Sequence, residues 1–243
     1  MHRIYFSVSN IKDNRMSITG EKARYLTSVL RCRKGDELIV FDGKGNCYRT
    51  TILKADKKEV IDEVIEKFPC DTESHINITL VQGLLKGEKM DMVIQKTTEL
   101  GVKEIIPVVT ERSQPRETRR VTRWRKIAEE ASRQSGRSII PIIHESMNFS
   151  DAFNLLQPSN RIKGILFYEQ GGMKLSEAVS SFVPRLSSIY LFIGPEGGFT
   201  KEEVTLAKEK GLIVTYLGRR ILRAETAAIS AATLVQFLLG DMS

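Results

Sequence analysis

The sequence has little with which to build a covalent or metal scaffold. Its 243 residues include three cysteines, Cys32, Cys47 and Cys70, and three histidines, His2, His75 and His144. No two cysteines form a Cys-x-x-Cys pair, which argues against a disulfide framework and against a clustered zinc site, so no metal is expected. The longest apolar runs, such as residues 189–193, are far too short to cross a bilayer, so no membrane partner is expected. Residues 1–20 alternate apolar with polar side chains and show no signal-peptide pattern; the expected setting is the cytoplasm. Also missing are the Gly-x-Gly-x-x-Gly fingerprint, the Gly-x-x-x-x-Gly-Lys-Ser/Thr phosphate loop and the Gly-x-Ser-x-Gly elbow. A dehydrogenase or an NTPase therefore lacks its phosphate motif.

What is present is an ordinary globular composition, 41% hydrophobic and 28% charged, with a basic surplus of +7. The surplus is unevenly placed. Arg112, Arg116, Arg119, Arg120, Arg123, Arg125 and Lys126 face a single carboxylate, Glu117, over 112–126. A thinner cluster is Arg24, Arg31, Arg33 and Lys34. Guanidinium forks suit phosphate oxygens, so both clusters are candidate phosphate contacts; the alternative for each is a solvated helix face.

Two regions can be read along the chain. In the first, strands are expected over 2–8, 37–41, 46–53 and around 60–65, with a helix over 21–31 and a tight turn at Asp42-Gly43-Lys44-Gly45. This mostly β unit ends at a linker, Phe68-Pro69-Cys70-Asp71-Thr72. From residue 75 onward strands and helices alternate. Strands are expected over 76–81, 104–109, 139–143, 164–168, 189–193 and 213–217. Helices are expected over 88–100 (closed by Gly101), over 119–134 and over 224–239. Thr200 and Glu203 fit a capping box. The last helix is apolar or small all round and needs burial in a core or an interface. The pattern predicts an α/β fold with a mostly parallel sheet covered on both faces.

Three loops follow expected strands: 168–172, 194–199 and 218–223. Carboxyl ends of parallel strands are where such sheets bind ligands, and glycine permits close backbone approach. One such loop is easily a plain turn; three together point to a small-molecule pocket.

The sequence Gly194-Pro195-Glu196-Gly197-Gly198-Phe199-Thr200, with Leu217-Gly218-Arg219-Arg220-Ile221-Leu222-Arg223-Ala224-Glu225-Thr226-Ala227, closely resembles the RsmE family, the 16S ribosomal RNA (uracil-N3) methyltransferases of the knotted SPOUT superfamily. The likeness extends over essentially the whole chain. His2-Arg3-Ile4-Tyr5-Phe6 and Val29-Leu30-Arg31 with Gly35-Asp36 resemble the family's N-terminal PUA-like RNA-binding unit. Lys96-Thr97-Thr98-Glu99-Leu100-Gly101-Val102 and Glu111-Arg112-Ser113 resemble its central signature. In place of the His that the family often carries before Val-Leu-Arg, this chain has Ala23-Arg24-Tyr25.

The resemblance implies a small β-barrel, PUA-like RNA-binding domain over 1–70 and a SPOUT methyltransferase domain with a C-terminal trefoil knot over 74–243. It implies S-adenosylmethionine as methyl donor, a homodimer formed through the C-terminal domain, and a uridine of 16S rRNA, in the decoding region of the small ribosomal subunit, as target. Backbone groups of Gly194, Leu217, Gly218, Ile221 and Leu222 are expected to read the adenine, with Ile193, Ile221 and Leu222 as apolar walls. Pro195, Glu196, Gly197 and Arg223 complete the cradle, Glu169 is the expected ribose acceptor, and Thr226 and Ala227 open the last helix beside it. For chemistry, Arg223 is expected to stabilise charge on the uracil oxygens, and Glu196 or Glu225 to accept or direct the proton. The alternative for Glu225 is helix-dipole stabilisation, and for Arg223 an ion pair with Glu225 or a neighbour. RNA contacts are expected from Arg3, Arg24, Arg31 and Arg33, and from Arg112, Arg116, Arg119, Arg120 and Arg123. The rival functions are ribose 2′-O or transfer RNA methylation on the same scaffold, and a non-catalytic RNA-binding protein.

Overall fold

Met16 and Ile18 are buried while the alternating Arg15, Ser17 and Thr19 are exposed, the period-two signature of a strand with one face on a core. The computed structural model describes residues 1–6, 11–114, 116–156, 162–182 and 186–242. The chain forms two units, 1–73 with 132–140 and 74–131 with 141–243. Segment 132–140, expected with the second region, folds with the first.

The first unit contains β1 (His2–Tyr5), β2 (Ile11–Lys12), β3 (Arg15–Thr19), α1 (Gly20–Arg24), β4 (Glu37–Phe41), β5 (Asn46–Ala55) and β6 (Glu59–Pro69). The sheet order is β1-β4-β5-β6-β3-β2, antiparallel except for the parallel β1–β4 pair. It forms a half-barrel around Ile4, Met16, Ile18, Leu26, Leu38, Val40 and Ile52. Of the strand expected over 2–8, residues 7 and 8 lie outside the described residues.

Three local expectations change. The helix expected over 21–31 stops at Arg24 and continues as a π turn over Tyr25–Val29. Arg31 follows in the left-handed region at φ 57°, so the apolar stripe breaks and Val29 is exposed. The expected linker is not one at its start: β6 runs through Phe68 and Pro69, which pair with Cys47 and Asn46. Cys70 then forms a disulfide with Cys47, against the expectation of no such framework. Sequence spacing hid this pair because strand register, rather than chain proximity, brings the two residues together.

Segment 132–140 is held mainly by Glu73. Its carboxylate accepts the Arg137 guanidinium (Nη2 at 2.8 Å) and the backbone N–H groups of Ser138 and Ile139 (3.2 and 3.1 Å). The Asp42 turn meets it as well: Gly45 N–H donates to Ser138 O, and Ile140 N–H to Gly43 O.

The second unit contains β7 (Asn77–Gly83), α2 (Lys89–Glu99), β8 (Glu104–Val109), α3 (Val121–Ser135, its last turn counted with the first unit), β9 (Ile142–Ile143), β10 (Met147–Asn148), α4 (Phe149–Ala152), β11 (Ile162–Phe167), β12 (Met173–Lys174), α5 (Leu175–Ser180), β13 (Ser188–Ile193), α6 (Lys201–Glu209), β14 (Ile213–Tyr216) and α7 (Ala224–Leu239). The sheet order is β10-β8-β7-β13-β11-β14-β12, with β9 on β8, and every pair is parallel, as the strand–helix alternation predicts. Helix α2 closes as foreseen at Gly101 (φ 83°): Gly101 N–H donates to Thr98 O and Val102 N–H to Thr97 O. Helix α6 begins with the Thr200–Glu203 capping box. One core cluster gathers Phe149, Phe153, Phe192 and Phe199, with Phe153 and Phe192 stacked at 5.4 Å. Helix α7 buries Ala224, Ala228, Ala231, Ala232 and Val235 on one face, and leaves Leu234, Phe237 and Leu238 exposed on the other.

The first unit also buries a carboxyl group. Asp62 is fully buried; Thr50 Oγ1 donates to its Oδ2 at 3.2 Å, and Oδ1 has no partner among the described residues. Burial pushes its pKa up to about 6. Folded protein therefore binds this proton more tightly than unfolded chain, so the contribution of Asp62 to stability is most favourable below the ordinary carboxylate range and is lost as pH rises through 6. The penalty near pH 8 is about 3 kcal/mol. Asp62→Asn is expected to raise the unfolding midpoint at pH 8 and to lose that advantage near pH 4. Urea unfolding at both pH values measures it; an equal change at both contradicts the assignment.

Candidate functional site

Strands β13, β11 and β14 are neighbours in that order, and all run in one direction. Their carboxyl ends therefore open at one sheet edge. The loops 194–199, 168–172 and 217–223, far apart in sequence, converge there. Between them lies a cavity of about 470 Å³.

Backbones cross closely at this edge. A Cβ on Gly83 would stand 2.6 Å from Pro195 N, and one on Gly194 would stand 3.1 Å from the Gly198 backbone. Only glycine admits such an approach. The buried Gln82 side chain bridges the crossing, with Nε2 donating to Gly83 O (3.0 Å) and Gly194 O (3.2 Å). Gly198 N–H closes a turn on Pro195 O, and Phe199 anchors the far end of the loop in the aromatic core.

The cavity brings together Glu169, Ile193, Gly194, Pro195, Glu196, Gly197, Leu217, Gly218, Ile221, Leu222, Arg223, Glu225 and Ala227. Thr226 does not line it: it is exposed, because the helical turn that points Glu225 and Ala227 toward the cavity turns Thr226 away. The cavity also takes Lys89, Phe167, Tyr168, Gly198, Phe199, Arg220 and Ala224, which were not among the expected site residues. Tyr168, Gly198, Phe199 and Arg220 lie in the three loops read from the sequence, and Phe167 leads into the first of them. Lys89 had no local signal; it is brought in by the packing of α2.

The three charged candidates differ. Glu196 is committed: its Oε1 accepts Lys89 Nζ at 2.9 Å and Lys86 N–H at 3.1 Å. Burial would raise its pKa, but the Lys89 ammonium and backbone N–H donors outweigh burial and hold it below the usual range. A carboxylate so stabilised is a poor proton acceptor, which counts against Glu196 as a base. Glu225 is nine-tenths buried in the first turn of α7, and among the described residues its Oε2 has no hydrogen-bond partner. Arg223 is exposed at the start of α7 and makes no ion pair with Glu225.

The expected RNA-contact arginines also divide. Arg24, Arg31 and Arg33 are exposed on the first unit. Arg3 is not available for phosphate: its Nη2 donates to Arg137 O at 3.0 Å, and its guanidinium lies 5.1 Å over the Phe41 ring. On the second unit, Arg116 donates to Thr110 O and Glu111 O, Arg120 to Gly87 O, and Arg123 pairs with Asp91 at 2.8 Å. Arg112 reaches Gly197 O and Phe199 O. Arg119 is exposed, with no such internal bond among the described residues.

The residues present suit a sulfonium nucleoside. Leu222 and Ile193 give an apolar wall, the glycine backbones offer amides and carbonyls at close range, and the orphan Glu225 oxygen offers a carboxylate to a cationic ligand. Gly218 sits at φ 90° with open space around its Cβ position, so conformation alone demands glycine there. Gly218→Val is expected to weaken S-adenosylmethionine uptake at least tenfold, while the unfolding midpoint moves by only a few degrees. Calorimetric titration checks it; undiminished uptake removes this loop from the cofactor site.

Comparison with known proteins agrees with this geometry. Residues 72–236 match the family described as RNA methyltransferase domain, and residues 18–64 the family described as RNA methyltransferase PUA domain. The chain is 33% identical over 230 residues to ribosomal RNA small subunit methyltransferase E of Bacillus subtilis, covering 91% of this chain and 89% of that protein. It is 34% identical to the Buchnera aphidicola protein of the same name, covering 92% and 88%. The solved structure of ribosomal RNA small subunit methyltransferase E from Neisseria gonorrhoeae, bound to S-adenosyl methionine, superposes with a TM-score of 0.89 at 31% identity and covers 100% of both chains. A methyltransferase from Legionella pneumophila in complex with bound SAM gives a TM-score of 0.88 at 30% identity. The chain belongs to the ribosomal RNA small subunit methyltransferase E family.

Proposed function

We propose that this protein uses S-adenosylmethionine to methylate N3 of a uridine in the 16S rRNA of the small ribosomal subunit. The observation that carries this reading is the convergence of three loops, from adjacent parallel strands, on a cavity with an apolar wall, glycine backbones and one orphan carboxylate oxygen. When bound, the cofactor supplies an electrophilic methyl group on a sulfonium.

The chain's own residues supply position and charge. Uracil N3 carries a proton that must leave, and negative charge then spreads over the two flanking carbonyl oxygens. Arg223, lining the cavity and making no ion pair among the described residues, is suited to stabilise that charge. Glu225 is favoured over Glu196 for receiving or directing the proton, because Glu196 is already held by Lys89 and Lys86. Leu217, Gly218 and Leu222 hold the adenine side of the cofactor, and Glu169 its ribose.

Exposed Arg24, Arg31 and Arg33 on the PUA-like unit and Arg119 on the methyltransferase unit give phosphate contacts that set the register of the RNA. The close crossing at Gly83 and Pro195 supports a trefoil knot in the second unit. No helix of the described residues is long and apolar enough to cross a membrane; we place the protein in the cytoplasm, where ribosomal subunits are assembled.

A homodimer through α7 fits its exposed Leu234, Phe237 and Leu238, with Met92 of the neighbouring α2 also exposed. Phe237→Asp is expected to shift the species seen by light scattering at micromolar concentration from dimer to monomer; an unchanged mass takes this face out of the interface.

The modification itself is tested by nucleoside mass spectrometry of small-subunit rRNA from a strain lacking the gene. Loss of 3-methyluridine, restored by the intact protein and not by Arg223→Ala, is the expected result. Loss of a ribose-methylated nucleoside instead would move the reaction to a different acceptor.

A further inference from the structure

Arg112 opens the most basic stretch of the chain and is exposed, so charge alone marks it as a phosphate contact. Its geometry says otherwise. Nη1 donates to Gly197 O at 2.9 Å and to Phe199 O at 3.3 Å. Its stem closes one side of Gly197, where a Cβ would stand 3.0 Å from Arg112 Cβ. A second tie runs beside it. Glu203 Oε1 accepts Glu111 N–H at 2.8 Å, while its Oε2 accepts Thr200 N–H at 2.8 Å in the capping box. The loop after β8 is thereby fastened to the loop after β13 at two points. Arg116 stiffens the first of these loops from within through Thr110 O and Glu111 O.

Gly197 and Phe199, whose carbonyls Arg112 holds, are wall residues of the 470 Å³ cavity, whereas Arg112 itself does not line it. Arg112 therefore acts on that cavity through the loop. A loop rich in glycine has many conformations to lose when it orders around a ligand, and two charge-assisted bonds from outside remove that cost beforehand. Lysine is one atom shorter and lacks the planar fork, so it cannot reproduce the brace in full.

We propose that Arg112 is a positioning residue, bracing the Pro195–Phe199 turn in the shape that receives S-adenosylmethionine rather than binding RNA. This rests on reading the cavity as the cofactor site. The test uses the full-length protein and three measurements: calorimetric uptake of S-adenosylmethionine, separate KM values for cofactor and RNA, and the salt dependence of RNA affinity. For Arg112→Ala, the cofactor Kd and KM are expected to rise roughly tenfold or more. The RNA KM and the slope of log affinity against log salt stay as in wild type, and Arg112→Lys recovers part of the loss. Unchanged cofactor affinity with a slope shallower by about one unit makes Arg112 a phosphate contact and overturns the proposal. Failure of the wild-type protein to take up cofactor overturns the site reading and the brace with it. If Arg112→Ala unfolds, Arg112→Gln gives the same readouts: normal cofactor affinity in that variant overturns the brace.

Discussion

A side chain on Gly83 would overlap the backbone of Pro195, and this close crossing of two chain segments governs the shape of the site. The carbonyl of Gly83 and the carbonyl of Gly194 are drawn to one amide, that of Gln82, in a fully buried position. Buried amides cost free energy unless they are paired. The crossing pairs the amide's Nε2, while its Oε1 has no hydrogen-bond partner among the described residues, and the loop that follows has one end already placed. Phe199, sunk into an aromatic cluster, places the other. What remains between these two anchors is a short turn of proline, glutamate and glycines lining a cavity.

Charge in this molecule serves construction as much as recognition. The carboxylate of Glu196 is consumed by Lys89 and Lys86, that of Glu73 by Arg137 and two backbone amides, and that of Asp91 by Arg123 and Trp124. Several arginines of the basic stretch turn toward backbone carbonyls in loops and at strand ends. These bonds leave the net charge of +7 unchanged, but they commit donors that would otherwise reach the oxygens of a polyanion. Glu225 and Arg223 both line the cavity, and among the described residues the Glu225 Oε2 has no hydrogen-bond partner and Arg223 no ion pair.

The two units divide the physical labour. The half-barrel is held by strand register, by the Cys47–Cys70 link and by the Glu73 carboxylate that gathers segment 132–140. The parallel sheet is held by apolar contact on both faces, as its nearly continuous hydrophobic strands require.

Much of this was legible in the amino-acid order alone. The Thr200–Glu203 box, Gly101 after α2 and the limits of β8 and α7 all rest on interactions between residues a few positions apart, and local spacing reports those directly. The glycine-rich loops were likewise visible, because glycine at a strand end has a conformational meaning of its own. Other features depended on distance in space. The Cys47–Cys70 pair, the inward turn of Arg3, the capture of Glu196 by Lys89 and the return of 132–140 to the first unit join residues that only strand register and helix packing bring together. Residue type told which groups were capable of chemistry; the tertiary fold decided which were left with no internal partner, because a hydrogen bond or ion pair made across the fold spends a side chain that its sequence neighbours leave free.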